Sequence, residues 1–299
     1  MNKKRWWRYS LFAVVILTCL LSFIILRLDA QSEQGLLNTL ASKQEVNESP
    51  IETPKNEEPT KSETKPAKNE EHQSTLQVAK EEPISDSKLD FLVVIDPGHQ
   101  QKANLEQEPI GPGATETKYK VTGGTTGVVT NKPEYVLNLE ASLLLQKQLE
   151  DRGIQVILTR TTHDVDISNK ERAEIANNND ADLFIRIHAD GSESAATKGF
   201  SVLMPSQDNP YTSSIYQDSH EAATYLIEHV SSTISLNQGG IFYRSDMSGF
   251  NWSKVPVILP EIGFMTNPED DQNLSNPTYL ANLMELMAVG IEKYAQSKQ

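Results

Sequence analysis

Phe91-Leu92-Val93-Val94-Ile95-Asp96-Pro97-Gly98-His99 begins with five apolar residues in a row. Three of the five are β-branched, and no polar side chain interrupts them. Such a strand is buried on both faces, as in a parallel sheet. Asp96, Pro97 and Gly98 end it abruptly. The next side chain is a histidine. In open α/β sheets ligands bind just beyond the carboxyl ends of the strands, so His99 stands where a site would lie. Taken alone it is more readily a plain turn histidine. Its meaning depends on partners elsewhere in the chain.

Outward from this stretch, apolar runs alternate with helical periodicity. Further strands are expected at Gln155–Thr159, Leu183–His188, Phe200–Met204 and Val255–Leu259. Glu134–Asp151 has a helical face of Leu137, Ala141, Leu144, Leu145 and Leu149, with Gly153 as a stop. Ser168–Asn177 is a second helix, with Ser168 as N-cap and Glu171 three residues on. Ser219–Ser235 and Tyr279–Gln296 are a third and fourth. This alternation predicts one α/β domain over residues 89–299, a mostly parallel central sheet with helices on both faces. The stretch Gln100–Thr130 fits neither period. It is glycine-rich, starts at His99 and returns to the first helix, so it is expected to border the site.

The rest of the chain is different in kind. In residues 1–30, Lys3, Lys4, Arg5 and Arg8 precede an apolar run, Leu11 to Leu26. Trp6, Trp7 and Tyr9 suit a membrane interface. The expectation is an uncleaved single-pass anchor with the N-terminus in the cytoplasm; a cleaved signal peptide is the competing reading. Residues 31–88 hold Glu, Lys, Pro, Ser and Thr and no aromatic except His72, the composition of a disordered acidic tether. The net charge of −14 over 299 residues argues against a nucleic-acid partner. The single cysteine, Cys19, excludes a disulfide framework and a cysteine metal site.

Any metal must therefore be held by histidine and carboxylate. His188 ends the run LFIRIH, on the same strand face as Phe184 and Arg186. Glu134 opens the first helix, where Asn131-x-x-Glu134 is equally an ordinary capping arrangement. Glu261 follows an apolar run, between Pro260 and Gly263. His163, in TRTTHDVD, is a weaker competitor for a ligand. His220 and His229 lie on a helix and suit packing. Arg160 and Arg172 are expected to pair with acids. Zinc accepts histidine and carboxylate in open catalytic sites, but this spacing is too long for a one-helix motif.

Five ordered blocks together resemble the zinc-dependent N-acetylmuramoyl-L-alanine amidases of the amidase-3 type, which cut cell-wall peptidoglycan. They are VVIDPGH (93–99), GVVTNKPEYVLNLEASLLLQKQLEDRG (127–153), VILTRTTHD (156–164), ERAEIANNNDADLFIRIHAD (171–190) and VPVILPEIGFMTNPED (255–270). The resemblance covers the folded part and none of the tether. It implies that His99, Glu134 and His188 hold one Zn²⁺, that Glu261 is the catalytic glutamate, and that peptidoglycan is the partner, met outside the cytoplasm. Two departures border the site: Gln100-Gln101 and a long insert follow the DPGH block, and Asp190 stands where many relatives have asparagine. The alternatives are a zinc peptidase acting within the stem peptide and an inactive, tethered wall-binding protein. Gln100–Thr130, or Gln238–Ser253 with Ile241, Phe242, Tyr243 and Trp252, is a candidate lid.

Overall fold

The computed structural model describes residues 89–299; the expected anchor and tether lie outside the described residues. Among the described residues, no helix is long and apolar enough to cross a membrane. The described residues build eight strands and six helices. The strands are β1 (Leu92–Pro97), β2 (Asn104–Pro109), β3 (Thr117–Val121), β4 (Gln155–Leu158), β5 (Leu183–Asp190), β6 (Phe200–Pro205), β7 (Leu236–Arg244) and β8 (Val257–Phe264). The helices are α1 (Glu134–Glu150), α2 (Asn169–Asn178), α3 (Tyr216–Val230), α4 (Ser248–Asn251), α5 (Pro268–Leu274) and α6 (Pro277–Ser297).

Six strands form the central sheet in the order β4-β1-β5-β8-β6-β7. Neighbours are parallel except at β8–β6. The strand alternation sorts residues onto two faces. Val93 and Ile95 of β1, with Leu183, Ile185 and Ile187 of β5, pack in a core shared with α1, α3 and α6. Val94, Phe184, Val257 and Leu259 pack on the other face with Ala173 and Ala176 of α2 and Phe250 of α4. Each fully buried Leu, Ile or Phe contributes about 1.5–3 kcal/mol relative to exposure. The two cores are what hold the strand ends in line.

Helix boundaries follow local chemistry. Ser168 caps α2 in the expected capping box, its side chain accepting from the Glu171 amide while Glu171 accepts from the Ser168 amide. Asn267 and Asn276 cap α5 and α6, each followed by proline in the first turn. This Asn-Pro signal starts α6 two residues before the expected Tyr279 and creates α5, which apolar periodicity does not reveal. The insert after His99 is no irregular loop. It contains the antiparallel β2–β3 hairpin, legible only in the weak alternation of Thr117–Val121. Strand β7, Leu236–Arg244, is not among the expected strands and takes in the start of the Gln238–Ser253 candidate lid. The last sheet strand begins at Val257 and runs on through Glu261 to Phe264, so Glu261 is a strand residue and not one beyond its end.

Asp96 anchors the second face. Its carboxylate, wholly buried, accepts from Arg172 Nη1 at 2.7 Å, Arg186 Nε at 2.9 Å and Thr159 Oγ1 at 2.6 Å. Asp96 and Arg186 are register partners on β1 and β5. Burial alone would raise this carboxyl; Arg172, Arg186 and the hydroxyl outweigh it and hold it well below the usual carboxylate range. A depressed folded-state pKa means that the stabilisation is complete above the unfolded value, about 4, and is lost as pH falls through the folded value. Asp96→Asn strands two buried cations. It is expected to cost about 3–5 kcal/mol in urea unfolding at neutral pH and to flatten the acid arm of stability against pH. A loss under about 1 kcal/mol would show that the ion cluster is not a structural anchor.

Candidate metal centre

His99 lies two residues past β1 with a left-handed backbone, φ 58°. A histidine there costs on the order of 1–3 kcal/mol and persists only when its surroundings over-determine it. The surroundings are on hand. Arg160 donates to the Pro97 carbonyl at 2.8 Å and the Gly98 carbonyl at 3.0 Å. Arg172 donates to the Pro97 carbonyl at 3.0 Å and the His99 carbonyl at 3.1 Å. Asn138 of α1 also donates to the Gly98 carbonyl. Every carbonyl of the turn is thus held from outside. The expected pairing of arginines with acids holds for Arg172 and fails for Arg160, whose partners are all carbonyls, Tyr135 and Thr162 included. A planar fork of donors suits a turn whose carbonyls splay.

The His99 ring is aimed from the other side. Its Nδ1 lies 2.8 Å from the Thr122 carbonyl, at the end of the hairpin. A carbonyl only accepts, so Nδ1 carries the proton and Nε2 keeps its lone pair. That Nε2 lies 3.2 Å from Glu134 Oε1. His188 Nδ1 lies 3.1 Å from the same oxygen. The His99 and His188 rings meet edge-on, centroids 4.7 Å apart. His99, Glu134 and His188 each offer a ligand atom, all within 4.8 Å of one another. The three come from the end of β1, the first turn of α1 and the end part of β5.

Glu134 is not spent on capping. The N-cap of α1 is Pro133, and no side chain caps that helix; Asn131 sits two residues outside it in a left-handed turn, φ 57°. The Glu134 carboxylate instead accepts from the Thr125 amide at 2.9 Å, Asn138 Nδ2 at 3.1 Å and the Ala189 amide at 3.3 Å. Burial by itself would raise its pKa. The hydrogen bond it accepts from His188 and the nearby His99 ring outweigh this and keep it ionised, below the usual range. Burial lowers His188 to about 4, so its imidazole is neutral at pH 7, and its Nε2 is buried without a hydrogen-bond partner. Two imidazoles with free lone pairs around an ionised carboxylate are the donor set of a divalent transition metal. Asn138 escaped the sequence reading; the trace it leaves is a polar residue within the apolar stripe of α1, one turn after Glu134.

Two glycines make the approach possible. A Cβ on Gly98 would overlap the His188 ring, and one on Gly124 would lie 2.6 Å from Glu134 Oε2 and 3.0 Å from the His99 ring. Gly124 also needs its φ of 77°.

Glu261 adjoins the three. It is the register partner of His188 on β8, and therefore projects to the same face. It is buried, and its Oε2 has no hydrogen-bond partner. Burial first, then the charges of Asp190 and Glu134, push its pKa well above that of an ordinary glutamate, against a smaller opposite pull from Arg244. A buried carboxylate with a raised pKa and a free oxygen has the chemistry to take and return a proton near neutral pH. His163 joins none of this. Its ring packs edge-on against Tyr135, centroids 5.3 Å apart. His220 stacks with Tyr243, and His229 bonds its own helix at the Tyr225 carbonyl.

Comparison with known proteins places this geometry. The family model described as N-acetylmuramoyl-L-alanine amidase matches residues 93–293, two-thirds of the chain and all four residues of the site. The chain belongs to that family. It is similar to the N-acetylmuramoyl-L-alanine amidase Rv3717 of Mycobacterium tuberculosis, 30% identical over 219 residues, covering 69% of this chain and 83% of that one. The amidase AmiA of Salmonella typhimurium is 26% identical, over 68% of this chain and 75% of its own length. Among solved structures, the amidase Ami1 of Mycobacterium smegmatis aligns with a TM-score of 0.64 and 26% identity, over 70% of this chain and 99% of that one. The chain is thus an N-acetylmuramoyl-L-alanine amidase acting on peptidoglycan. In this amidase Gly98→Ala is expected to push His188 out of the cluster. Elemental analysis should find less bound metal per chain than in the unsubstituted protein, with the far-UV circular dichroism unchanged. Full metal content in that variant would mean that the close approach is not needed.

Proposed function

We propose that His99, Glu134 and His188 hold one Zn²⁺ and that Glu261 is the acid–base residue of amide hydrolysis. The observation that carries this is the convergence of the three ligand atoms with Glu261 paired beside His188. Zinc bound there supplies Lewis acidity, activating water near neutral pH and polarising the scissile carbonyl. The chain's residues do the rest. Thr122 fixes the His99 tautomer. Asn138 and two backbone amides orient Glu134. Glu261 takes the proton of the attacking water and passes it to the departing nitrogen of L-alanine. The positive charge of a dication favours the ionised form of Glu261 that this first step requires, offsetting the burial that raises it. The bond cut joins the lactyl group of N-acetylmuramic acid to L-alanine, and the products are a free lactyl carboxylate and an intact stem peptide.

The sequence supports a placement as well. The basic cluster and apolar run of residues 1–30 make an anchor in the cytoplasmic membrane, and residues 31–88 a tether that lets the enzyme reach the wall outside it.

Glu261→Gln keeps the shape and removes the proton carrier. Its kcat on peptidoglycan is expected to fall about a hundredfold to ten-thousandfold, with zinc still bound. Unchanged kcat would remove Glu261 from the chemistry. Chelation of the wild type should abolish hydrolysis, and added zinc should restore it. Mass spectrometry of the digest should show complete stems with a free L-alanine amine; shortened stems would point to a peptidase.

A further inference from the structure

Two clefts meet at the metal-ligand cluster, and their charges differ. Both are lined by His99, Thr122, His188 and Glu261, so the scissile bond must straddle their junction. The first, about 530 Å³, runs between the β2–β3 hairpin and the 246–249 segment. It contains Lys118 and Arg186 together with the carboxylates of Asp246 and Glu261, so its lining holds as many cations as carboxylates. The second, about 600 Å³, runs along Gly123–Thr125, Gly191 and Ser192. Its lining has no lysine or arginine, and it has the carboxylates of Glu134, Asp190, Glu193 and Glu261. The bond to be cut joins an uncharged sugar to a peptide that carries carboxylates. An anionic peptide is repelled from the second cleft, whereas a neutral glycan with many hydroxyls suits its small polar lining.

Lys118 is placed to receive such a carboxylate. It projects from β3 and donates to the Asp246 carbonyl at 2.6 Å and to its carboxylate at 3.0 Å. The side chains are 41% and 49% exposed, so this ion pair is weak. Asp246 does not depend on it. Arg244 already binds that carboxylate through two bonds, Nε to Oδ1 at 2.8 Å and Nη2 to Oδ2 at 3.0 Å. Lys118 can leave without stranding a charge, and the trio of Lys118, Arg244 and Asp246 has a net charge of +1. The backbone that carries Lys118 stays put. Asn169 donates to the Lys120 carbonyl at 2.8 Å, and Trp252 Nε1 to the Pro109 carbonyl at 2.8 Å. The hairpin is therefore a fixed wall pinned to α2 and to the end of α4, not a swinging lid.

We propose that the stem peptide lies in the hairpin-walled cleft with a carboxylate on Lys118, and that the glycan lies in the acidic cleft. The proposal rests on the amidase reading of the junction. It makes Lys118, in an insert that carries no catalytic group, a specificity-determining residue.

The test uses the zinc-loaded full chain and two soluble muramoyl-peptides. They differ only in whether the stem carboxylate next to L-alanine is free or converted to a carboxamide. The wild type is expected to favour the free acid about tenfold in kcat/KM, mostly through KM. Lys118→Ala should bring that ratio to about one, Lys118→Arg should keep it, and Lys118→Glu should invert it. A ratio that is unchanged in Lys118→Ala overturns the proposal and leaves the amidase reading standing, because both substrates still release an intact stem. Failure of the wild type to cut either substrate overturns both.

Discussion

The buried carboxylate of Asp96 is the constraint on which the site depends. It sits near the carboxyl end of β1, where two guanidinium groups converge on it from α2 and β5. Burying one charge with two opposite ones is tolerable only when the remaining donors are also satisfied. They are, and much of what satisfies them is the turn itself: Arg172 donates to the carbonyls of Pro97 and His99 and to the Gln100 side chain, besides the Ile167 carbonyl, and Arg186 to Asn169. The cluster that holds α2 to the sheet therefore also fixes the backbone from which His99 projects. Arg160 holds the same turn from the side of β4 and α1. The left-handed conformation of His99 is sustained by this network and not by local preference.

From that turn the electrostatics follow step by step. One ionised carboxylate, Glu134, faces two imidazoles, His188 kept neutral by burial and His99 held by the Thr122 carbonyl, so that each offers a nitrogen lone pair. A second carboxylate, Glu261, is left unpartnered, and burial with the like charges of Asp190 and Glu134 lifts its proton affinity. A dication held by the three ligand atoms would reconcile these demands. The acidic side of the junction and the lysine-bearing side opposite it then give the site a direction along the substrate, which the four central residues do not by themselves supply.

Much of this is visible in local sequence. The β-branched run before Asp96 predicts a doubly buried strand because no other environment suits it. The helix faces of α1 and α6 and the capping box of α2 are short-range patterns, and they occur where they are expected. Where the structure differs, competing local explanations were equally good. Asn131-x-x-Glu134 has the spacing of a cap, yet Pro133 starts the helix and the carboxylate turns inward. The run ending at Leu259 has the proline and glycine of a strand end, yet β8 continues through Glu261 between β5 and β6. The hairpin escaped notice because its partly exposed, charged strands lack an apolar face to mark them.

The sequence by itself determined the fold class, the family and the identities of His99, Glu134, His188 and Glu261, since periodicity, ordered blocks and residue chemistry are properties of the chain read in line. Only the tertiary structure decided what those residues do to one another. Whether Glu134 caps its helix or turns in toward His99 and His188, which His99 nitrogen is free, and whether Arg160 meets an acid or a carbonyl depend on groups dozens of residues away. The polarity of the two clefts depends on them too, because Lys118 and Asp246 are brought together across 128 positions. Such contacts arise from strand order and register, which pack distant segments side by side, and no local spacing encodes them.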